Sequence, residues 1–138
     1  MKFIGIDIAK DSFVAAYPGV SGYQTKSYSN DLKGVKKFIE SLKAESNHCV
    51  LEATGNYGAL LLYLLCKYQI TVSLVNPKQI KHFARMMMAV TKTDHVDAKL
   101  ISLYGEKMRP GAYIMPPEAI TLLKQKKVVL RQLKKQLT

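Results

Sequence analysis

Helix-like and strand-like hydrophobic periods alternate along residues 30–87, and that alternation limits the fold more than any other feature of the chain. Asn30 reads as an N-cap; Leu32, Val35, Phe38, Ile39 and Leu42 then recur at helical spacing, with Lys33, Lys36, Lys37, Glu40 and Lys43 on the other faces. His48-Cys49-Val50-Leu51-Glu52 is a short strand ending in a carboxylate, Thr54-Gly55-Asn56 is a turn, and residues 57–68 form a helix apolar on nearly all sides. Residues 70–75 read as a further strand, and Asn76-Pro77 supplies an N-cap and first-turn proline for a helix to about residue 87. Upstream, Lys2-Phe3-Ile4-Gly5-Ile6-Asp7 is another strand ending in an acid. A polar turn at Ala9-Lys10-Asp11 folds residues 12–17 back on it, and residues 23–28 alternate weakly as a third strand. Strands joined by helices pair in parallel, whereas a hairpin pairs antiparallel, so the expected fold is α/β with a mixed sheet and flanking helices.

Right-handed crossovers place the Glu52 strand beside the Asp7 strand, with the hairpin on the other side of the first strand. Sites in open α/β sheets form beyond the carboxyl ends of strands near such a reversal of order, and Asp7 and Glu52 both stand at carboxyl ends. Neighbouring strands lie about 4.8 Å apart, close enough for two carboxylates to share an ion. Residues 94–104 read as another helix, and acids three apart, Asp94 and Asp97, fall on one helix face. Pro110, Gly111, Pro116 and Pro117 mark residues 110–117 as a linker after a domain spanning 1–109. Residues 118–138 form a basic C-terminal helix with Leu123, Leu130 and Leu137 seven apart, a coiled-coil-like segment with no terminating cap, as expected of a truncated chain.

Across 138 residues, 21 Lys and Arg oppose 10 Asp and Glu, a formal charge of +11 that favours polyanions, above all nucleic acid. Cys49 and Cys66 lie in separate apolar runs, which gives neither a disulfide framework nor a zinc motif and suits a reducing, cytoplasmic setting. The longest nearly apolar stretch, residues 59–66, falls far short of the roughly 20 residues that span a bilayer. Charge alone does not choose between nucleic acid and the less common anionic membrane surface; the expected partner is nucleic acid, with no membrane.

On so basic a chain, acids gathered at strand ends and on a helix face are best explained by a neutralising cation, and hard oxygen ligands suit Mg²⁺ or Mn²⁺. Paired ions of this kind serve phosphodiester cleavage. The residues also carry a resemblance. Gly-Ile-Asp at 5–7 followed by Lys10, Leu-Glu-Ala-Thr-Gly-Asn-Tyr at 51–57, Val-Asn-Pro at 75–77 and Lys-Thr-Asp-His-Val-Asp-Ala at 92–98 resemble the DEDD transposases of the insertion-sequence-110 family, in the family's order, over about residues 2–104. Pilin gene-inverting recombinases resemble the same family. The resemblance implies a RuvC-like, RNase H-type fold, with Asp7, Glu52, Asp94 and Asp97 as catalytic, metal-binding acids. It also implies DNA as substrate, a guide RNA, a homo-oligomer, a nucleoid-associated location, and a C-terminal domain bearing a serine nucleophile. Nothing in this sequence matches that domain, so the fragment alone is expected to be inactive; Gly58 stands where many relatives have a histidine.

Plainer readings stand beside these. Asp94 is a possible N-cap and Asp97 a first-turn acid favoured by the helix dipole. Lys78, Lys81 and Arg85 line one side of the helix after Pro77, either as a solvated face or as a phosphate-contacting stripe, while Lys10 and Lys92 lie close in sequence to the acids. His82 and His95 read as surface or partly buried residues rather than ligands. Met86-Met87-Met88 reads as flexible packing or as a contact surface for a missing domain. Tyr57 either stacks on a base or staples its helix to the sheet. Two rival functions remain: a stand-alone RuvC-like resolvase or nuclease, and a non-catalytic nucleic-acid-binding module.

Overall fold

Alternation of side chains across the first strand sets up two cores, one on each face of a sheet. The computed structural model describes residues 1–53, 57–87 and 97–115. Its elements are β1 (Lys2–Ile8), β2 (Ser12–Gly19), β3 (Gly22–Ser29), α1 (Leu32–Glu40), β4 (Asn47–Glu52), α2 (Ala59–Lys67), β5 (Thr71–Val75), α3 (Pro77–Met86) and α4 (Ala98–Met108). The strands form one sheet in the order β3-β2-β1-β4-β5. β1 pairs antiparallel with β2 and parallel with β4, and β4 pairs parallel with β5. This is the mixed α/β sheet with flanking helices that the periodicity dictates, and its order is consistent with an RNase H-like fold.

Ile4 and Ile6 point to one face, where they are buried with Phe13, Val35, Phe38, Leu61 and Leu65 beneath α1 and α2. Phe3 points to the other and is buried with Val50, Val75, Ile80, Phe83 and Ile101 beneath α3 and α4. On that second face α4 comes down on the sheet through small residues. A methyl group at Gly5 would overlap the Ala98 carbonyl oxygen and the Ser102 backbone nitrogen, and one at Gly105 would sit 2.6 Å from a Val50 methyl. The buried Ser102 hydroxyl donates to the Phe3 carbonyl at 2.5 Å. Helix α4 therefore runs antiparallel to β1, with its first turn over the strand's carboxyl end.

Two helix starts differ from the sequence reading. Asp31, not Asn30, caps α1: its side chain accepts from Gly34 N, while Asn30 is buried and its amide bonds elsewhere. The last described helix begins at Ala98, so Asp97 is its extended N-cap residue rather than a member of a helix face starting at Asp94. Residues 110–115, within the stretch whose composition suggests a linker, run beside β5. Tyr113 N donates to Val72 O at 2.7 Å, and the Ser73 hydroxyl lies 2.8 Å from the Gly111 carbonyl. The expected basic helix of 118–138 lies outside the described residues. Among those described, no helix is long and apolar enough to cross a membrane.

Candidate active site at the carboxyl edge of the sheet

The acids are positioned by register and by alternation. Ile6 pairs with Leu51 across parallel β1 and β4, so one residue further along each strand Asp7 and Glu52 stand side by side. Asp7 shares the face of Phe3 and Gly5, and Glu52 that of Val50, which is the face covered by α4. Both are half-buried. Because the Ala98 carbonyl lies directly over Gly5, the residue before it, Asp97, sits above the end of β1 that carries Asp7. Its exposed carboxylate caps the helix, Oδ1 accepting from Leu100 N at 3.0 Å. Three of the four expected acids thus lie toward one edge of the sheet on the α4 face. The fourth, Asp94, and the neighbouring Lys92 lie outside the described residues.

The donor set at this edge is all oxygen, which matches the preference of a hard divalent cation. Asp7 and Glu52 are the pair placed to begin such a site. Among the described residues, no group of three or more His, Cys, Asp and Glu side chains is drawn closely enough together to hold a metal ion. Asp97 is engaged as the N-cap of α4. Other metal-ligating or nucleophilic candidates are placed elsewhere: burial pushes the Cys49 and Cys66 thiols up from their ordinary values, and His82 is exposed on α3.

The basic residues around the edge are exposed. Lys10 lies in the tight β1–β2 turn, closed by an Ala9 N to Ser12 O bond, three residues beyond Asp7. Helix α3 starts at the same edge, because β5 ends at Val75 and the Asn76 side chain caps the helix through Lys78 N. Lys78, Lys81 and Arg85 are all exposed along α3 and lead away from the acids, while Ile80, Phe83 and Ala84 are buried under it. Met86 and Met87 are exposed, so they are not core packing; Met88 and His95 lie outside the described residues. Tyr57, the residue read either as a base-stacking ring or as a staple for its helix, is 51% exposed.

The roles of four residues escape sequence reasoning. Gly5 and Gly105 are where the backbone of α4 meets the sheet, and the signal that could have found the first is a glycine within a strand otherwise rich in isoleucine. Asn30 has the sequence of a cap, yet its amide reaches the loops after β1 and β4. His48 has the sequence of an ordinary strand residue, but its ring packs on Phe3 at 4.8 Å and its Nε2 lies 2.6 Å from the Ser73 hydroxyl.

Comparisons with known proteins cover the stretch that holds these residues. A family model described as a transposase, for the DEDD enzymes of insertion-sequence-110 type, matches residues 4–138. The pilin gene-inverting protein of Moraxella bovis is 32% identical over 145 aligned positions, covering 99% of this chain and 45% of the relative. The pilin gene-inverting protein of Moraxella lacunata matches with the same identity and coverage. The chain spans about half the length of these curated relatives.

Proposed function

This chain belongs to the DEDD transposase family of the insertion-sequence-110 type, and from that premise we propose that it is the catalytic domain of a DNA transposase or recombinase that cleaves and transfers phosphodiester strands. One observation carries the reading: Asp7 and Glu52 are neighbours at the carboxyl edge of the two central parallel strands, on the face where Asp97 begins α4. Asp7, Glu52 and Asp97, with Asp94, would hold Mg²⁺ or Mn²⁺. When bound, the ion supplies Lewis-acid activation of the attacking and leaving oxygens. The chain's own residues do the rest of the work at the edge. Lys10, with Lys92, would meet the phosphates flanking the scissile bond, and Lys78, Lys81 and Arg85 would position the backbone without reading bases.

The same proposal extends to the organisation of the protein. The catalytic domain spans 1–109, a linker 110–117, and a basic helical segment begins at 118. A C-terminal domain contributes a serine nucleophile, a guide RNA directs the protein to DNA, and the protein acts as a homo-oligomer in the nucleoid. The isolated fragment is inactive on this reading.

The test is a metal titration on this chain beside a cleavage assay on the protein that also carries the C-terminal domain. Wild-type chain should bind Mn²⁺ weakly, and Asp7→Asn should lose that binding. Glu52→Gln and Asp97→Asn should abolish cleavage while leaving DNA affinity intact or higher. Unchanged Mn²⁺ binding in Asp7→Asn, or retained cleavage in Glu52→Gln, would leave a nucleic-acid-binding module whose acids only cap helices. Lys81→Ala with Arg85→Ala should reduce the slope of log affinity against log salt by about 2, near one unit for each phosphate no longer neutralised. An unaltered slope makes that stripe solvated surface.

A further inference from the structure

Asn30 stands beside a helix start and does no capping. It is only 7% exposed and follows β3 at the outer side of the sheet, and the adjacent Asp31 already caps α1. Its backbone N–H donates to Asp11 O at 2.9 Å, which fixes it against the β1–β2 turn. Its side-chain Nδ2 faces three carbonyl oxygens: Tyr57 at 2.8 Å, Ala9 at 3.1 Å and Lys10 at 3.3 Å. Three acceptors around one amide atom identify that atom as the nitrogen, since an oxygen there would repel all three. The cost falls at the other end of the amide, where the buried Oδ1 has no hydrogen-bond partner among the described residues. Buried acceptors are nearly always satisfied, so an exception points to what the opposite atom is holding.

What it holds are the two loops that leave the acid-bearing strands. Ala9 and Lys10 follow Asp7 by two and three residues, and Tyr57 lies on the connection that leaves Glu52. We propose that Asn30 is a positioning residue that pins the turn after Asp7 to the loop after Glu52, fixing the spacing of the two carboxylates and the placement of Lys10 beside them. The inference rests on the reading of Asp7 and Glu52 as the metal-holding pair. Asn30 acts through backbone carbonyls, which makes its effect one of donors rather than of volume. Replacing its amide by a carboxylate of the same shape removes both N–H groups and sets an oxygen against three others.

The test uses Asn30→Asp and Asn30→Ala in this chain, with Asp7→Asn alongside. Three quantities are read: the thermal midpoint, amide hydrogen exchange at residues 9–12 and 57–58, and Mn²⁺ affinity by electron paramagnetic resonance. Both Asn30 variants should remain folded, exchange at least tenfold faster at those two loops and not in β4, and bind Mn²⁺ three- to tenfold more weakly. Asp7→Asn should lose Mn²⁺ binding without faster exchange at residues 57–58. Wild-type exchange and affinity in Asn30→Asp, with Mn²⁺ binding lost in Asp7→Asn, would overturn the role of Asn30 alone. Unchanged affinity in Asp7→Asn would overturn the metal reading beneath it, while faster loop exchange in Asn30→Asp would still support the pinning. Failure of both Asn30 variants to fold would also overturn the proposal, because Asn30 would then be a residue of the fold and not of the site.

Discussion

The two faces of the sheet are built on different principles. Beneath α1 and α2 the core is large and aromatic: Phe38 packs edge-on to Phe13 and Tyr28, at 5.4 and 5.3 Å between ring centres, and long aliphatic side chains fill the remainder. Beneath α4 the contact is made by Gly5, Ala98, Ser102 and Gly105, so backbone approaches backbone and a side-chain hydroxyl closes on the Phe3 carbonyl. A thick layer of side chains tolerates repacking, because volume can be redistributed among flexible groups. A helix lying directly on a strand has no such freedom. The face with the thin contact is the one that carries Asp7, Glu52 and Asp97, and the difference teaches that the close approach sets how near the start of α4 lies to the acid-bearing strand ends.

Truncation on the thick face should give a large loss of stability and the smallest change in chemistry. Phe38→Ala removes a fully buried ring and should cost about 3–5 kcal/mol in denaturant unfolding. The folded fraction should nonetheless keep wild-type Mn²⁺ affinity. Gly5→Ala should cost a comparable amount, about 3 kcal/mol or more, because the added methyl overlaps backbone atoms of Ala98 and Ser102 that move only if α4 moves. It should weaken Mn²⁺ binding out of proportion, because α4 must lift and carry Asp97 away from Asp7. An equal drop in metal affinity in both variants would erase the distinction between the faces.

Asp97 allows a finer cut, because its two roles call for different atoms. Capping needs an oxygen acceptor, which asparagine supplies as well as aspartate. Asp97→Asn should therefore leave the thermal midpoint nearly unchanged while abolishing cleavage in the protein with its C-terminal domain. Asp97→Ala should lose about 1 kcal/mol in addition. A midpoint lowered equally by both substitutions would show that the charge, and not the cap, stabilises α4.

The thick face is readable in the sequence because its signal is periodic: Leu32, Val35, Phe38 and Ile39 recur at helical spacing, and their partners alternate along strands. The strand ends bearing Asp7 and Glu52 are readable for the same reason, since topology alone makes the two strands neighbours. Periodicity misplaces the helix start at Asp97, because a capping acid and a first-turn acid look alike until the backbone angles are known. Asn30 misleads for a related cause. Asn30 and Asp31 are both good caps, and only the three distant carbonyls around the Asn30 amide decide which of them serves the helix. Long-range hydrogen bonds and close backbone approaches leave no period in a sequence, and the details of this site are made of them.

The smallest effect concerns pH and again separates the faces. His48 lies on the α4 side of β4, between Phe3 and the Ser73 hydroxyl, and burial holds its imidazole below the ordinary value of 6.5. Ser73 is within donor distance of the carbonyls of Pro110 and Gly111, so when its proton is given to one of them, Nε2 of His48 must donate to the hydroxyl. The neutral imidazole with its proton on Nε2 suits that chain. Because the folded state resists protonation more than the unfolded state does, stability is full above pH 6.5 and declines as pH falls below it. The thermal midpoint of the wild-type chain should therefore drop between about pH 7 and pH 5 by more than that of His48→Gln, which keeps a donor toward Ser73 but does not titrate. On the α1/α2 face no titration in that range is expected from the buried Phe38 cluster, so Phe38→Ala should show the wild-type pH slope from its lower starting point. Parallel slopes for wild type and His48→Gln would mean that the imidazole reaches water in the folded state, and that the α4 face is less tightly closed at the Phe3 end than at Gly5.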